Sequence, residues 1–192
     1  MTTTSMINRA EAYVIDLEEA EGIYGGREIG TKVFRELFSY IEETGFDSTV
    51  PIDFRYVKFI DVSCADEIVC KLVYRVKSGE LGTRFIFLEN LNMSVRETIH
   101  AALTIRKLAC LLRTGEERFA VLGQISKPLK EALDLVLDRK KVIASEVAET
   151  LSTTINTACN RLNTLRQLGL ICRLHEDSSP GGGRLYYYES IV

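Results

Sequence analysis

Ser63 is the first side chain in the sequence whose type and position could support chemistry. It lies where a strand-like run beginning at Val50 gives way to a segment, starting at Ala65, whose apolar residues recur with helical period. A hydroxyl at the beginning of a helix can cap the helix by accepting backbone N–H groups, or it can carry a regulatory phosphate. The local sequence leaves both interpretations of Ser63 open.

A second group of polar side chains follows one face of a predicted helix in the last third of the chain. Amide and guanidinium groups at such positions can read base edges in the major groove of DNA. The predicted outward residues are Thr154, Asn156, Thr157, Asn160, Arg161 and Thr164. Basic residues that can neutralise phosphates are Lys140, Lys141, Arg173 and Arg184. This pattern predicts a DNA-binding surface.

The composition indicates a folded protein with a sizeable core. The 192 residues are 46% hydrophobic and 27% charged, with a net charge of −3, which excludes a disordered tail. No apolar run approaches the roughly 18 residues that a membrane-spanning helix needs, and the opening residues lack the apolar region of a signal peptide. We therefore expect a soluble cytoplasmic protein without a membrane partner.

The sequence gives little support to a metal site, a cofactor or an enzyme. The five cysteines are scattered, and the pair Cys172 and His175 lacks a companion pair at ligand spacing. His100 has no partner nearby in sequence and is expected to be a solvated or core histidine. Neither a phosphate-binding glycine loop nor a nucleophile with its base can be named. We expect no cofactor, no metal and no catalytic residue.

The first 122 residues alternate strand-like and helix-like segments, which predicts an α/β domain with helices packed on a sheet. A capping box is expected at Ser94 and Glu97, and a helix is expected to end near Gly79. The predicted strands are 11–17, 50–54, 83–91, 108–112 and 118–123, and the predicted helices are 27–43, 63–78 and one that begins at Ser94.

The pattern changes at the segment 123–128, where Pro128 suits the first turn of a helix. Three helices and a hairpin are predicted beyond it: helices at 130–138 and 145–150, a third helix ended by Gly169, and strands at 170–174 and 184–190. Lys140 and Lys141 are expected in a turn, and Ser152 and Thr153 are expected to cap the third helix. Its predicted inner face is Ile155, Cys159, Leu162, Leu165 and Leu168.

Residues 127–192 resemble a winged helix-turn-helix, the DNA-binding module of many bacterial regulators. The resemblance rests on "IASEVAETLSTTINTACNRLNTLRQLGLICRL" and the glycine-rich hairpin that follows it. It implies that the third helix is the recognition helix and that the loop around Pro180 is the wing. This segment has nine Lys and Arg against eight Asp and Glu, whereas phosphate neutralisation usually needs a more basic surface. Protein contact or dimerisation is the alternative use of such a module.

Residues 11–123 resemble a STAS domain, as in anti-anti-sigma factors, most specifically over 52–69. Asp53-Phe54 matches the strand of the family motif, Ile60-Asp61 the following apolar-Asp pair, and Ser63 the hydroxyl. The resemblance implies that a GHKL-type kinase phosphorylates Ser63 and that the phosphate abolishes partner binding. A phosphate adds nearly two negative charges, and a helix N-terminus tolerates it.

Two hypotheses follow from the sequence. In the first, the chain is a bacterial transcriptional regulator, in which a STAS-like domain docks a partner or senses a signal and a winged helix binds DNA as part of a homodimer. In the second, the chain is a partner-switching adaptor that does not bind DNA and is controlled by phosphorylation of Ser63. The exposure of the polar face of the third helix separates the two.

Overall fold

The computed structural model describes residues 7–176 and 185–192 of the chain. These residues form two compact units, of which the first reaches Gln124 and the second begins at Ile125. Helices and a sheet with parallel strands occur together, which confirms the predicted α/β class. None of the helices in the described ranges has the length and apolar character that a bilayer crossing requires.

The first unit alternates strands and helices along the chain, as its sequence pattern predicts. Its strands are β1 (Asn8–Arg9), β2 (Tyr13–Val14), β3 (Ile23–Tyr24), β4 (Ser48–Asp53), β5 (Phe59–Ile60), β6 (Arg84–Glu89), β7 (Ala109–Arg113) and β8 (Phe119–Gly123). Its helices are α1 (Gly26–Glu43), α2 (Val62–Ala65), α3 (Lys71–Ser78) and α4 (Met93–Ile105), with a π-helical turn at Asp66–Cys70 between α2 and α3.

The main sheet of this unit has the strand order β1-β4-β6-β7-β8, and β2 also pairs with β4. All pairs are parallel except the hairpin of β7 and β8. In a parallel sheet the carboxyl ends of neighbouring strands meet at one edge. Accordingly, Asp53 at the end of β4 lies opposite Glu89 at the end of β6.

One continuous core lies between this sheet and its helices. Leu37 of α1, Ile52 of β4 and Leu103 of α4 are almost completely buried in it. The successive residues of β6 point to opposite faces, so Phe87 lies on the other side of the sheet from the core. Phe87 is buried there too, edge-on to Phe119 at 5.4 Å between ring centroids. Both faces of this strand are therefore buried, as its continuous apolar run requires.

Two predictions of local structure in this unit are wrong. The expected strand at 11–17 is reduced to β2, and α4 is capped by Asn92 rather than Ser94. The Asn92 side chain accepts the backbone N–H of Val95 at 3.0 Å. Its amide group also donates to the carbonyl of Val57 at 3.0 Å. Asn92 both caps the helix and joins it to another loop. Sequence spacing does not reveal such a tertiary contact.

The second unit contains three helices and a small antiparallel sheet. Its elements are α5 (Lys127–Arg139), β9 (Lys141–Ile143), α6 (Ala144–Thr150), α7 (Ile155–Gln167), β10 (Ile171–Glu176) and β11 (Leu185–Ser190). The strand order is β10-β11-β9. Pro128 lies in the first turn of α5, as predicted. Gly169 follows α7 with φ +74°, a left-handed conformation that suits glycine.

Three sequence predictions are corrected in this unit. Lys141 is part of β9 and pairs with Glu189 of β11, so only Lys140 lies in the predicted turn. Thr154 caps α7, rather than Ser152 or Thr153. Ile155 is 57% exposed, because the inner face of α7 is formed by Ala158, Leu162 and Leu165.

Candidate functional site

Asp61, not Ser63, caps the helix that follows the strand β5. One Asp61 carboxylate oxygen accepts the backbone N–H of Cys64 at 2.7 Å, and the other accepts the N–H of Gly26 at 2.7 Å. A single carboxylate therefore closes the first turns of both α2 and α1. The prediction that Ser63 caps the helix is wrong, because the residue two positions earlier already fills that role.

Ser63 lies in the first turn of α2 and is exposed to solvent. Its hydroxyl is thus not required for the cap. Phe59 and Val62, close to Ser63 in the sequence, are exposed apolar residues at 46% and 51% exposure, and Ile23 is 58% exposed. Ile23 and Phe59 are partners in the pairing of β3 with β5, and Val62 precedes Ser63. These three residues are called the apolar patch below.

The two acidic residues after Ser63 are ion-paired rather than solvated. Asp66 accepts two hydrogen bonds from the guanidinium of Arg106, which hold the pKa of its carboxyl below the usual range. Glu67 is buried and accepts hydrogen bonds from Lys71, Arg27 and Thr31. The bond from Lys71 is the largest cause of its lowered pKa.

Glycine at position 30 allows this arrangement. A Cβ on Gly30 of α1 would lie 2.7 Å from the Cβ of Glu67, which is closer than two carbon atoms can pack. The helix α1 therefore approaches the π-helical turn at a position where only a hydrogen side chain fits. The Glu67 carboxylate can thereby accept hydrogen bonds from Arg27 and Thr31 of α1.

The cysteines of this region are structural. Cys64 and Cys70 are buried, and burial raises the pKa of each thiol to about 12. A thiol with so high a pKa is protonated near neutral pH and is a poor nucleophile. Cys110 and Cys172 are buried as well, so these four cysteines act as small apolar residues.

The outer face of α7 carries the residues predicted to read DNA. Asn156 and Asn160 are exposed, and neither side chain has a hydrogen-bond partner among the described residues. Arg161 is half-buried at the flank of this face. The exposed side chain of Ile155 lies at the beginning of the helix. The two amides and the neighbouring Arg161 are accordingly accessible to a ligand.

The threonines of α7 serve the helix itself. The Thr154 hydroxyl accepts the backbone N–H of Thr157 at 3.2 Å and lies 2.9 Å from the Thr157 hydroxyl. The Thr164 hydroxyl donates to the carbonyl of Asn160 at 2.8 Å. These bonds occupy part of the hydrogen-bonding capacity of the predicted threonines, so the amides are the more available groups.

The predicted phosphate-neutralising residues are spread over the second unit. Lys140 lies 3.4 Å from the carbonyl of Val192. Lys141 and Arg173 stack over Tyr187 and Tyr186, at 4.3 Å and 4.6 Å from the ring centroids. Arg184 and the predicted wing around Pro180 lie outside the described residues.

Asn163 is a structural residue that sequence reasoning did not identify. Its side-chain oxygen accepts the hydroxyl of Tyr188 at 3.1 Å, which joins α7 to β11. Tyr188 is 3% exposed, so a hydroxyl there needs a partner. Tyr188 therefore packs within the second unit rather than facing solvent. A lone asparagine on a helix gives no sequence signal for such a role.

Sequence reasoning also missed a charged network at the carboxyl edge of the main sheet. Asp53 is completely buried and accepts hydrogen bonds from Arg55 and from the side-chain amide of Asn90, the latter at 2.9 Å. Glu89 accepts from Arg9 at 3.3 Å and Arg113 at 3.2 Å. Acidic residues at the carboxyl ends of two buried strands were a usable signal, because such ends meet at one sheet edge.

Asn90 has a backbone conformation that few non-glycine residues adopt. Its φ of +59° places it in the left-handed region, which asparagine tolerates better than most residues. This turn directs its amide group toward Asp53. The sharp change of direction after β6 thereby supplies a hydrogen bond to the buried carboxylate.

His100 and the cysteines do not form a metal site in the described part of the chain. His100 is exposed, and its Nδ1 accepts the backbone N–H of Gly123 at 3.2 Å. No cluster of three potential metal ligands occurs among the described residues.

Comparison with known proteins adds no identification. A scan of the chain against protein-family models finds no match, and a search of curated proteins likewise finds none. Function is therefore argued from the chain's own residues.

Proposed function

We propose that the chain is a transcriptional regulator of the bacterial type that binds DNA through α7. In this proposal residues 127–192 are a winged helix, α7 is its recognition helix, and the hairpin of β10 and β11 is its wing. The first unit is a STAS-like domain that docks a protein partner or senses a signal. The protein acts as a homodimer, whose two recognition helices lie about one DNA turn apart, roughly 34 Å.

The observation that carries this proposal is the contrast between the two faces of α7. The inner face is closed by Ala158, Leu162 and Leu165, while Asn156 and Asn160 are exposed on the outer face. Asparagine side chains can make paired hydrogen bonds to adenine in the major groove.

Two further features support the same function. The exposed side chain of Ile155 at the start of α7 can contact the methyl group of thymine. The strand order β10-β11-β9 fits the three-stranded sheet expected of a winged helix. The basic residues Lys140, Lys141 and Arg173 supply phosphate contacts in this proposal, which a dimer doubles.

The test is selection of bound fragments from random DNA, followed by fluorescence anisotropy of an enriched sequence at two salt concentrations. We expect one enriched motif, with affinity that falls steeply as salt rises. Asn160→Ala should weaken binding to that motif. Ser39→Ala, an exposed polar residue of α1 in the first unit, is the matched control. Absence of any enriched motif at low salt would overturn the DNA-binding function.

The second candidate function is a partner-switching adaptor that does not bind DNA. The apolar patch next to the exposed Ser63 favours it, because clustered apolar side chains on a surface commonly mark protein interaction sites. A phosphate on Ser63, added by a GHKL-type kinase, would bring negative charge to the rim of the patch. Docking there would be switched without unfolding, since Asp61 rather than Ser63 holds the helix start.

Phosphopeptide mapping of the chain isolated from its native cells tests this second candidate. A phosphate on Ser63 would support the adaptor, and a chain that carries none under all growth conditions would oppose it. The variants Ser63→Asp and Ser63→Ala separate charge from loss of the hydroxyl. Under the adaptor hypothesis only Ser63→Asp weakens partner binding.

A further inference from the structure

The carboxyl edge of the main sheet has a shallow depression beside the charged network. It is lined by Arg55, Glu89, Asn90, Arg96 and Arg113 and by the turn between β7 and β8. The carboxyl ends of parallel strands are the usual ligand site of open α/β sheets, because helices and loops diverge there and leave a crevice. The position in the fold therefore makes this depression a candidate ligand site.

The buried carboxylates of this edge are already neutralised. Asp53 is matched by Arg55 and Asn90, and Glu89 is matched by Arg9 and Arg113. Neither carboxylate therefore needs a metal ion or another cation to offset its charge. A cationic ligand would compete with bonds that the protein makes for itself, so this depression is not suited to one.

The arginines of the depression have donors to spare. Arg96 is exposed on α4, and its side chain has no hydrogen bond or ion pair within residues 7–176 and 185–192. Arg55 uses Nε and one terminal nitrogen on Asp53, which leaves its other terminal nitrogen open. With the bonded partners Asp53 and Arg9 included, four guanidinium groups face three carboxylates, so the site has one positive charge in excess.

Arg55 is held in place before any ligand binds. Its backbone N–H and its side chain both bond to the Asp53 carboxylate, the first at 2.9 Å. Arg113 is fixed in the same way by Glu89 and by the carbonyls of Gly115 and Glu116. An anchored guanidinium loses less conformational entropy on binding than a free one, which favours recognition of a small ligand.

We propose that this depression binds a compact oxyanion, carried by a phosphate or carboxylate group of a small molecule, between Arg55 and Arg96. The planar guanidinium fork of Arg96 matches the oxygen spacing of both groups, and Arg55 adds its open terminal nitrogen. Arg113 shapes the site through the β7–β8 turn and adds to its positive field. Asn90 supplies the neutral polar lining. The site belongs to the first unit and does not depend on DNA binding by α7.

The test is isothermal titration of the full chain with pyrophosphate and, separately, with succinate, at constant ionic strength. We expect saturable binding of at least one of the two at millimolar concentration or below. Arg96→Gln should weaken that binding by about tenfold or more, as expected for the loss of charge-assisted hydrogen bonds. Arg35→Gln, which removes an exposed arginine of α1 outside the depression, should leave it unchanged.

Whichever of the two probes binds more tightly shows whether the natural ligand carries a phosphate or a carboxylate group. Preference for pyrophosphate indicates a phosphate-bearing ligand, and preference for succinate indicates a carboxylate. Arg96 is exposed, so Arg96→Gln is expected to fold, and its thermal unfolding checks this. The proposal is overturned if neither probe binds up to about 10 mM, far above the range of useful affinity, or if the two arginine variants bind equally.

Discussion

The polar groups at the carboxyl edge of the sheet and those on the outer face of α7 are arranged in opposite ways. Asp53 and Glu89 are buried and bonded to arginines and to Asn90. Asn156 and Asn160 are exposed and have no side-chain partner in the described ranges. Buried polar groups that lose a partner destabilise the fold, whereas exposed ones can be lost with little cost. The first set therefore maintains the structure, and the second is available to a partner molecule.

Removal of the Asp53 carboxylate is expected to produce the largest effect. Asp53→Ala deletes the acceptor of Arg55 and Asn90 and should lower the free energy of unfolding by about 3 kcal/mol, from several lost hydrogen bonds to a charged group. Urea unfolding monitored by circular dichroism measures this change. A loss below about 1 kcal/mol, the worth of one ordinary hydrogen bond, would contradict the structural role assigned to the network.

Substitution of an α7 asparagine should weaken DNA binding while leaving the free energy of unfolding almost unchanged. Asn160→Ala is expected to weaken binding to the selected DNA by about 1–3 kcal/mol, the worth of a paired contact to a base. Its free energy of unfolding should change by less than about 0.5 kcal/mol, as for other exposed positions. Arg161→Ala should also weaken binding to the selected DNA by about 1–3 kcal/mol. Anisotropy and urea unfolding on the same samples give both quantities.

The cap residue and the neighbouring serine offer a comparison within one turn. Asp61→Ala removes the acceptor shared by Cys64 and Gly26 and should cost about 1–2 kcal/mol of stability, as for loss of a helix cap. Ser63→Ala should cost less than about 0.5 kcal/mol, because the residue is exposed and is not the cap. Equal losses in the two variants would restore the capping role to Ser63.

Lowering the pH should weaken the first unit progressively through its carboxylates. Burial raises the pKa of Asp53, but hydrogen bonds from Arg55 and Asn90 outweigh it, so the pKa lies below the usual 3.8. A depressed native pKa stabilises the fold fully above the unfolded pKa, and this contribution is lost as pH falls through the native value. The free energy of unfolding of the parent should therefore decrease as the pH falls below about 5. Asp53→Ala should show a shallower decline in urea titrations at pH 7, 5, 4 and 3.

Periodicity predicted the elements in which one physical pattern dominates. The helix at Arg27–Glu43 agrees with α1 to within one residue, because a long apolar stripe has only one way to be buried. Pro128 and Gly169 mark helix ends for reasons of backbone geometry that act locally. These features follow from the chain alone, whatever surrounds them.

The caps and the candidate sites were less predictable. Serine is a common helix-capping residue, and the sequence offers it at Ser63, Ser94 and Ser152. The helices are nevertheless capped by Asp61, Asn92 and Thr154. Asp61 also bonds to α1 and Asn92 also bonds to the loop after β4. Such double roles depend on which segments meet in space. The inner face of α7 was misjudged for the same reason, since Ile155 fits the helical period but faces solvent.

The sequence by itself determined the α/β class, the order of most helices and strands, and the polar composition of the α7 face. Those properties depend on local backbone preferences and on the period of apolar residues. Only the tertiary structure brought Asp53, Glu89 and the arginines to one edge of the sheet. Residues far apart in the chain become neighbours there through strand register. A local sequence pattern does not reveal which distant charged residue will pair with a buried carboxylate.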